Sequence, residues 1–314
     1  MMVHRARRIE SIIDAVGNTP LLRLRNIDRE TPGVKIYLKL EYCNPGGSVK
    51  DRPALQMMKD AIADGRLTKD KILIDATSGN TGVAYSLFGA ALGMRVALVM
   101  PKNVSQARKD ITQAYGTELI FSDPMEGSDG AIRLVRRIVS ENPDKYFYSD
   151  QYRNPSNPRA HYLGTGREIL EQVGDEITHF VTGLGTSGTC MGTTRRLHEY
   201  AQEHRRKITC IAAQPAEALH GLEGLKHMDS SIVPEIYDPS EPDEHMVVQT
   251  EHGWDMADRL AHEEGLHVGH STGANVYAAL DVARRIGTGC VVTIACDRGD
   301  RYFAPMRWEK HYEW

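Results

Sequence analysis

The amino-acid sequence predicts an α/β protein of two lobes, each built on a mostly parallel sheet flanked by helices. Three observations carry that prediction. Short apolar runs alternate with helical patterns from about residue 35 to the end of the chain. Glycine- and hydroxyl-rich segments stand between several of these runs and the helix that follows. The chain of 314 residues is also long enough for two buried cores. Strands regularly separated by helices form parallel sheets covered on both faces.

In chain order, residues 36–41 read as a strand, followed by a turn at 44–47 and a helix over about 48–64. A strand at 72–77 passes through a Ser-Gly-Asn turn into an Ala/Gly-rich helix at 81–92. A strand at 95–100, a helix at 105–115 and a strand at 119–122 continue the alternation. Apolar strands at 179–184, 208–214 and 290–297 follow, with helical stretches between them. The Pro- and acid-rich segment 233–244 reads as a surface excursion, not a domain linker.

Composition excludes several functions. Hydrophobic content of 41% and charged content of 25% are ordinary for a globular protein. A formal net charge of −4 gives no electrostatic ground for a nucleic-acid or anionic-membrane partner. The five cysteines (Cys43, Cys190, Cys210, Cys290, Cys296) are scattered and form no C-x-x-C pair, which argues against a disulfide framework or a cysteine zinc site. The basic N-terminal residues lead into no apolar signal core, and no apolar run reaches membrane-spanning length. A soluble cytoplasmic protein is expected. His262, His267 and His270 are the closest histidine cluster, but their spacing matches no zinc motif and no metal is expected. Cys43 lacks an evident base and is expected to be a small buried or boundary residue.

Ligands of such sheets sit at the carboxyl ends of strands, where loops lead into helix N-termini. Three loops fall in that position. The first is Asn44-Pro45-Gly46-Gly47-Ser48-Val49-Lys50-Asp51-Arg52. Ser48 is a helix-cap candidate, with Asp51 three residues on in a capping-box arrangement. Lys50 is then expected in the first helical turn, where the helix dipole disfavours a cation and lowers its pKa. An amine that forms an imine and later acts as a general base needs that property. A solvated surface lysine is the plainer alternative.

The second loop, Thr77-Ser78-Gly79-Asn80-Thr81-Gly82, converges backbone N–H groups and hydroxyls where an anion binds; an ordinary capped turn reads equally well. The third is Gly183-Leu184-Gly185-Thr186-Ser187-Gly188-Thr189. It lacks the Gly-Lys-Ser/Thr of a P-loop and the glycine spacing of a Rossmann fingerprint, so it reads as a phosphate cup without a nucleotide requirement.

Together these loops resemble the fold-type II pyridoxal-phosphate enzymes (the tryptophan synthase β-like fold), and specifically the cysteine synthase family. The resemblance runs in order through Gly17-Asn18-Thr19-Pro20-Leu21, the Lys50 segment, residues 77–82, Gln151 with Asn154-Pro155, residues 185–189 and Ser271-Thr272-Gly273. Cys296-Asp297-Arg298-Gly299-Asp300-Arg301-Tyr302 resembles the cysteine synthase B branch. Ser187 stands where Gly or Thr is more usual in the family.

The resemblance implies a pyridoxal 5'-phosphate cofactor joined to Lys50 as an imine. Asn80 would bond the ring oxygen. Gly185, Thr186, Ser187, Gly188 and Thr189 would hold the phosphate, and Ser271 would face the pyridine nitrogen. Thr77, Ser78, Thr81 and Gln151 would bind the substrate carboxylate. Residues 45–150 would form a small mobile domain, and 1–44 with 151–314 a large cofactor-binding domain. The implied activity is a transferase that forms L-cysteine from O-acetylserine and a sulfur donor such as sulfide.

The implied partners are small molecules, a second copy in a homodimer, and a serine acetyltransferase or sulfur-carrier protein. Lys226 occupies a position where branches using O-phosphoserine carry an arginine; it stands either as a phosphate partner or as a surface lysine on a flexible loop. O-Acetylserine is the first reading and O-phosphoserine its rival. Cystathionine β-synthase-like replacement with homocysteine, a serine/threonine dehydratase and a non-catalytic assembly protein are further alternatives. No C-terminal regulatory domain or haem-binding segment is expected. The aromatic C-terminus, Trp308 to Trp314, is expected to pack at a dimer interface or lie over the site.

Overall fold

The structure, a computed structural model, describes residues 8–302. The C-terminal segment 308–314 and the basic residues 1–7 lie outside the described residues. The chain opens with β1 (Leu21–Arg23) and β2 (Val34–Leu40). It continues through α1 (Asp51–Ala63), β3 (Ile72–Ala76), α2 (Asn80–Leu92), β4 (Arg95–Pro101), α3 (Gln106–Ala114), β5 (Glu118–Ser122), α4 (Gly127–Glu141) and β6 (Tyr146–Tyr148). Then come α5 (Ser156–Ala160), a π-helical turn at His161–Gly166, and α6 (Arg167–Val173). The last part holds β7 (His179–Gly183), α7 (Gly188–Glu203), β8 (Thr209–Pro215), β9 (Glu244–Val248), α8 (Thr250–Glu264), α9 (His270–Ile286) and β10 (Gly289–Ala295).

These strands make two sheets, of order β1-β2-β10-β7-β8-β9 and β5-β4-β3-β6. Every pairing is parallel except that of β1 with β2. The smaller sheet draws all its strands from residues 72–148. Parallel strands buried on both faces need apolar residues throughout, and β3 is buried from end to end. One face of the large sheet packs Val34, Ile36, Leu38 and Leu40 against α8 and α9. Its other face packs Phe180, Val292 and Ile294 against α6 and α7. The small sheet is covered by α1 and α2 on one side and α4 on the other.

Three strands escape the sequence pattern. β1 and β6 have three residues each and β9 alternates in burial, and all three lie at sheet edges. An edge strand is short or half-solvated, so it lacks the continuous apolar run that marks a central strand. The segment 233–244 does run over the surface, with Val233 half exposed, but its last residue begins β9. It also touches residues that follow the small sheet: Ile236 N donates to Tyr152 O at 3.2 Å, and Arg153 pairs with Glu235 at 2.8 Å. Among the described residues no helix is long and apolar enough to cross a membrane.

Candidate active site

A cavity of about 990 Å³ opens at the carboxyl ends of the two sheets. The loops after β3, β7 and β10 reach its wall, as do the N-terminal ends of α2, α7 and α9. Lys50, Thr77, Ser78, Asn80, Thr81, Gln151, Gly185, Thr186, Ser187, Thr189, Lys226 and Ser271 all line it. The remaining expected residue, Gly188, lies just behind the wall. A Cβ on Gly188 would sit 1.9 Å from Asn157 Oδ1, so only glycine lets α7 approach there.

Lys50 is held by the end of the large sheet. Val49 N donates to Cys296 O at 2.8 Å, and Ser48 forms an antiparallel bridge with Asp297. The expected capping box does not form. Ser48 Oγ accepts from Lys50 N at 3.2 Å, while the Asp51 carboxylate turns back to accept from Gly46 N. Helix α1 therefore starts at Asp51, and Lys50 is its N-cap instead of a first-turn residue. The larger effect on its amine is burial, which lowers the pKa; the neighbouring Cys296 and Asp297 oppose this. The glycine pair before it has a steric reason. A Cβ on Gly46 would meet Asp51 Oδ1 at 2.5 Å, and Gly47 has φ +78° with Arg301 against it.

Sequence reasoning missed the support beneath this loop. Arg52 donates to Glu41 Oε2 at 2.6 Å and Glu168 Oε1 at 2.7 Å, and Lys39 donates to Glu168 Oε2 at 2.8 Å. All four side chains are buried. Thr19 Oγ1 donates to Glu41, and the backbone N–H groups of Asn18 and Thr19 donate to Glu168. Two cations and two carboxylates cancel, and α1 is tied through them to β2 and α6. The signal was present in Gly17-Asn18-Thr19-Pro20 and in Arg52, but only as markers of resemblance.

At the third loop, α7 has no side-chain cap, because Ser187 adopts a left-handed conformation with φ +68°. The first N–H groups of α7 thus lack the usual partner. Ser187 Oγ is buried without a hydrogen-bond partner. Thr186 Oγ1 accepts from Asn157 Nδ2 at 3.1 Å, leaving its own proton available. Thr189 Oγ1 lies 3.3 Å from Nε2 of buried His161, whose Nδ1 meets Thr165 Oγ1 at 3.0 Å. Burial holds His161 well below the ordinary histidine pKa, so it is neutral. Orphaned donors at an uncapped helix start are a receptacle for a phosphate.

At the second loop, Thr81 Oγ1 donates to Gln151 Oε1 at 2.8 Å, and Gln151 Nε2 approaches Ala76 O at 3.4 Å. Thr77 and Ser78 are half buried and α2 has no side-chain cap. Asn80 is already engaged on both sides of its amide: Nδ2 donates to Asp297 Oδ2 at 2.6 Å and Oδ1 accepts from Arg301. Ser271 is buried in the first turn of α9, beside Cys296, whose thiol burial pushes up to about 11. Lys226 is half buried, with Nζ 5.0 Å from the Tyr152 ring centre. Burial lowers its pKa, opposed by Asp129.

One minor expectation comes out differently. Cys43 is exposed, because the short helical turn at Glu41–Cys43 directs Glu41, not Cys43, inward. Among the described residues the histidines at 262, 267 and 270 do not converge at metal-ligand spacing; half-buried His198, buried Cys210 and exposed Asp243 do. There Asp243 Oδ2 already meets His198 Nε2 at 3.0 Å and accepts from Cys210 N at 2.7 Å.

A family model described as "pyridoxal-phosphate dependent enzyme" matches residues 12–297. The chain is 48% identical to a cysteine synthase of Aquifex aeolicus, across 93% of this chain and 90% of the relative. It is 38% identical to cysteine synthase B of Escherichia coli, across 94% and 95%. The crystal structure of cysteine synthase from Entamoeba histolytica superimposes with a TM-score of 0.89 at 36% identity, covering 96% of this chain and 91% of that one. An amine in the same cavity as an orphaned phosphate receptacle fits the cofactor of that family: the buried Ser187 hydroxyl has no hydrogen-bond partner. The chain belongs to the cysteine synthase family of pyridoxal-phosphate dependent enzymes.

Proposed function

We propose that this enzyme forms L-cysteine from O-acetylserine and a sulfur donor such as sulfide, by replacement at the β-carbon, which makes it a transferase. The observation that carries the reading is the placement of the Lys50 amine, with its lowered pKa, in one cavity with the uncapped start of α7. Bound there, pyridoxal phosphate supplies an electron sink for the substrate α-carbon. Gly185, Thr186, Ser187, Gly188 and Thr189 would hold its phosphate, Asn80 its ring oxygen, and Ser271 its ring nitrogen. Ser271 offers a neutral hydroxyl, so no carboxylate there fixes an extra proton on that nitrogen.

Thr77, Ser78, Thr81 and Gln151 would hold the substrate carboxylate through hydroxyl, amide and backbone donors. Lys50 Nζ removes the α-proton, the bond from the β-carbon to the acetoxy oxygen breaks, and acetate leaves. The sulfur nucleophile then bonds to the β-carbon, and Lys50 returns the proton to the α-carbon. Burial that lowers the lysine pKa raises the fraction of neutral amine able to accept that proton. Residues 45–150 would act as a small mobile lobe that closes over the substrate and excludes water. The Arg108–Glu223 ion pair at the cavity wall supports this, because it joins α3 of that lobe to the loop before Lys226. The reading places the enzyme in the cytoplasm as a homodimer with small-molecule partners.

Lys226 favours a second donor, O-phosphoserine. Its ammonium reaches the cavity wall beside Tyr152, where a phosphate leaving group could pair with it. Steady-state cysteine formation with each donor decides between them. If Lys226 serves phosphate, Lys226→Ala raises KM for O-phosphoserine about tenfold and leaves O-acetylserine turnover unchanged. No turnover of O-phosphoserine by the unaltered enzyme eliminates the second donor; no cysteine from either donor eliminates the proposal. Homocysteine in place of sulfide, with cystathionine as the product measured, tests the cystathionine-forming alternative.

A further inference from the structure

We propose that Asp297 and Arg301 are positioning residues: a charged clamp that fixes the Asn80 amide so that one N–H is presented to the cofactor. The inference rests on the reading of Asn80 as the donor to the cofactor ring oxygen. An asparagine amide has two nearly isosteric orientations, and only its partners choose between them. Here the partners are of opposite charge. Asp297 Oδ2 accepts from Asn80 Nδ2 at 2.6 Å, and the Arg301 guanidinium donates to Asn80 Oδ1. An ionised carboxylate only accepts and a guanidinium only donates. Turning the amide over would set oxygen against carboxylate and N–H against guanidinium, losing both bonds.

The clamp is itself held in place. Asp297 is 1% exposed, and its backbone bridges Ser48 and accepts from Gly269 N at 3.2 Å. Tyr302 Oη donates to the same Oδ2 that takes Asn80. Arg301 donates a second N–H to Gly46 O, so it also reaches the loop that carries Lys50. The sequence Cys296-Asp297-Arg298-Gly299-Asp300-Arg301-Tyr302 thus acquires a purpose beyond marking a branch. The short helical turn at Gly299–Tyr302 folds Arg301 back onto the amide that Asp297 holds. Only one of the two Nδ2 protons goes to Asp297. The other remains for a ligand of the cavity, which Asn80, Lys50 and Ser271 line together.

The test is a double-mutant cycle read by cofactor affinity and by the visible absorption maximum, with pyridoxal 5'-phosphate titrated into cofactor-stripped protein. Asn80→Ala is expected to weaken affinity about tenfold and shift the maximum, as for the loss of one hydrogen bond to a charged acceptor. Asp297→Ala is expected to do the same, and the two together no more than Asn80→Ala alone. Asp297→Asn keeps the shape but removes the carboxylate's preference for an N–H, leaving Arg301 alone to orient the amide; it is expected to fall between wild type and Asp297→Ala. Should Asp297→Ala fail to fold, as judged by thermal melting without cofactor, Asp297→Asn and Arg301→Met are paired with Asn80→Ala in its place. Additive losses, about a hundredfold in the double variant, overturn the clamp. So does an Asp297→Asn protein with wild-type affinity and spectrum. If Asn80→Ala itself changes neither readout, the reading of Asn80 is what fails.

Discussion

Glu168→Gln isolates the charge term in the buried quartet beneath the lysine loop. Burial pushes the Glu168 carboxyl up, but the hydrogen bonds and charge of Arg52 and the charge of Lys39 outweigh it and leave the pKa at about 2, against an ordinary 4.5. A folded pKa below the unfolded one contributes stability above the unfolded value and loses it as pH falls toward the folded one. The shift corresponds to about 3 kcal/mol at pH 7, and roughly half of that survives at pH 3. Glutamine has nearly the same shape as protonated glutamate, so the variant should lose this contribution at neutral pH and converge on the wild type in acid. By size scaling, the loss at pH 7 lowers Tm by about 5 °C. Urea unfolding of the cofactor-free proteins at pH 7, 5 and 3.5 reads the difference. A gap that stays constant with pH assigns the effect to packing, and a gap below about 1 kcal/mol at pH 7 refutes the charge network as a support.

Other outcomes follow from single groups. Ser187→Gly removes a buried hydroxyl that has no partner and relieves a left-handed backbone. Stability without cofactor should hold or rise, while pyridoxal phosphate affinity falls about tenfold in a fluorescence titration; unchanged affinity would remove Ser187 from the phosphate cup. Asp75, fully buried at the end of β3, has its carboxyl pushed up to about 7 by burial and by the charge of Asp150. The folded chain therefore keeps a proton that the unfolded chain releases, and this group's contribution falls by roughly 1.4 kcal/mol per pH unit between about pH 4 and 7. Asp75→Asn should gain on the wild type from pH 5 to 8 in urea unfolding, and parallel curves would contradict it.

The central strands of both sheets and the three loops that reach the cavity were legible because each is a local signal. The apolar run Ile72-Leu73-Ile74 marks β3, and a glycine-hydroxyl loop marks the start of α2 or α7. What stayed hidden was non-local. The partners of Arg52 lie 11 and 116 residues away, and those of Asn80 lie 217 and 221 residues away. No spacing along the chain announces such pairs. Lys50 illustrates the difference: its place in the loop was readable, but the burial against the end of β10 that lowers its pKa needs the fold. The edge strands β1, β6 and β9 were missed for the opposite reason, since their local signal is weak.

The most direct test of the account is whether Lys50 carries the cofactor. Pyridoxal 5'-phosphate is added to the cofactor-stripped protein and to Lys50→Ala, free cofactor is removed, and the visible spectrum is recorded before and after adding O-acetylserine. The account predicts a retained visible band in the wild type that O-acetylserine shifts, and neither band nor shift in Lys50→Ala. A variant that keeps the same band and responds to O-acetylserine in the same way would contradict it.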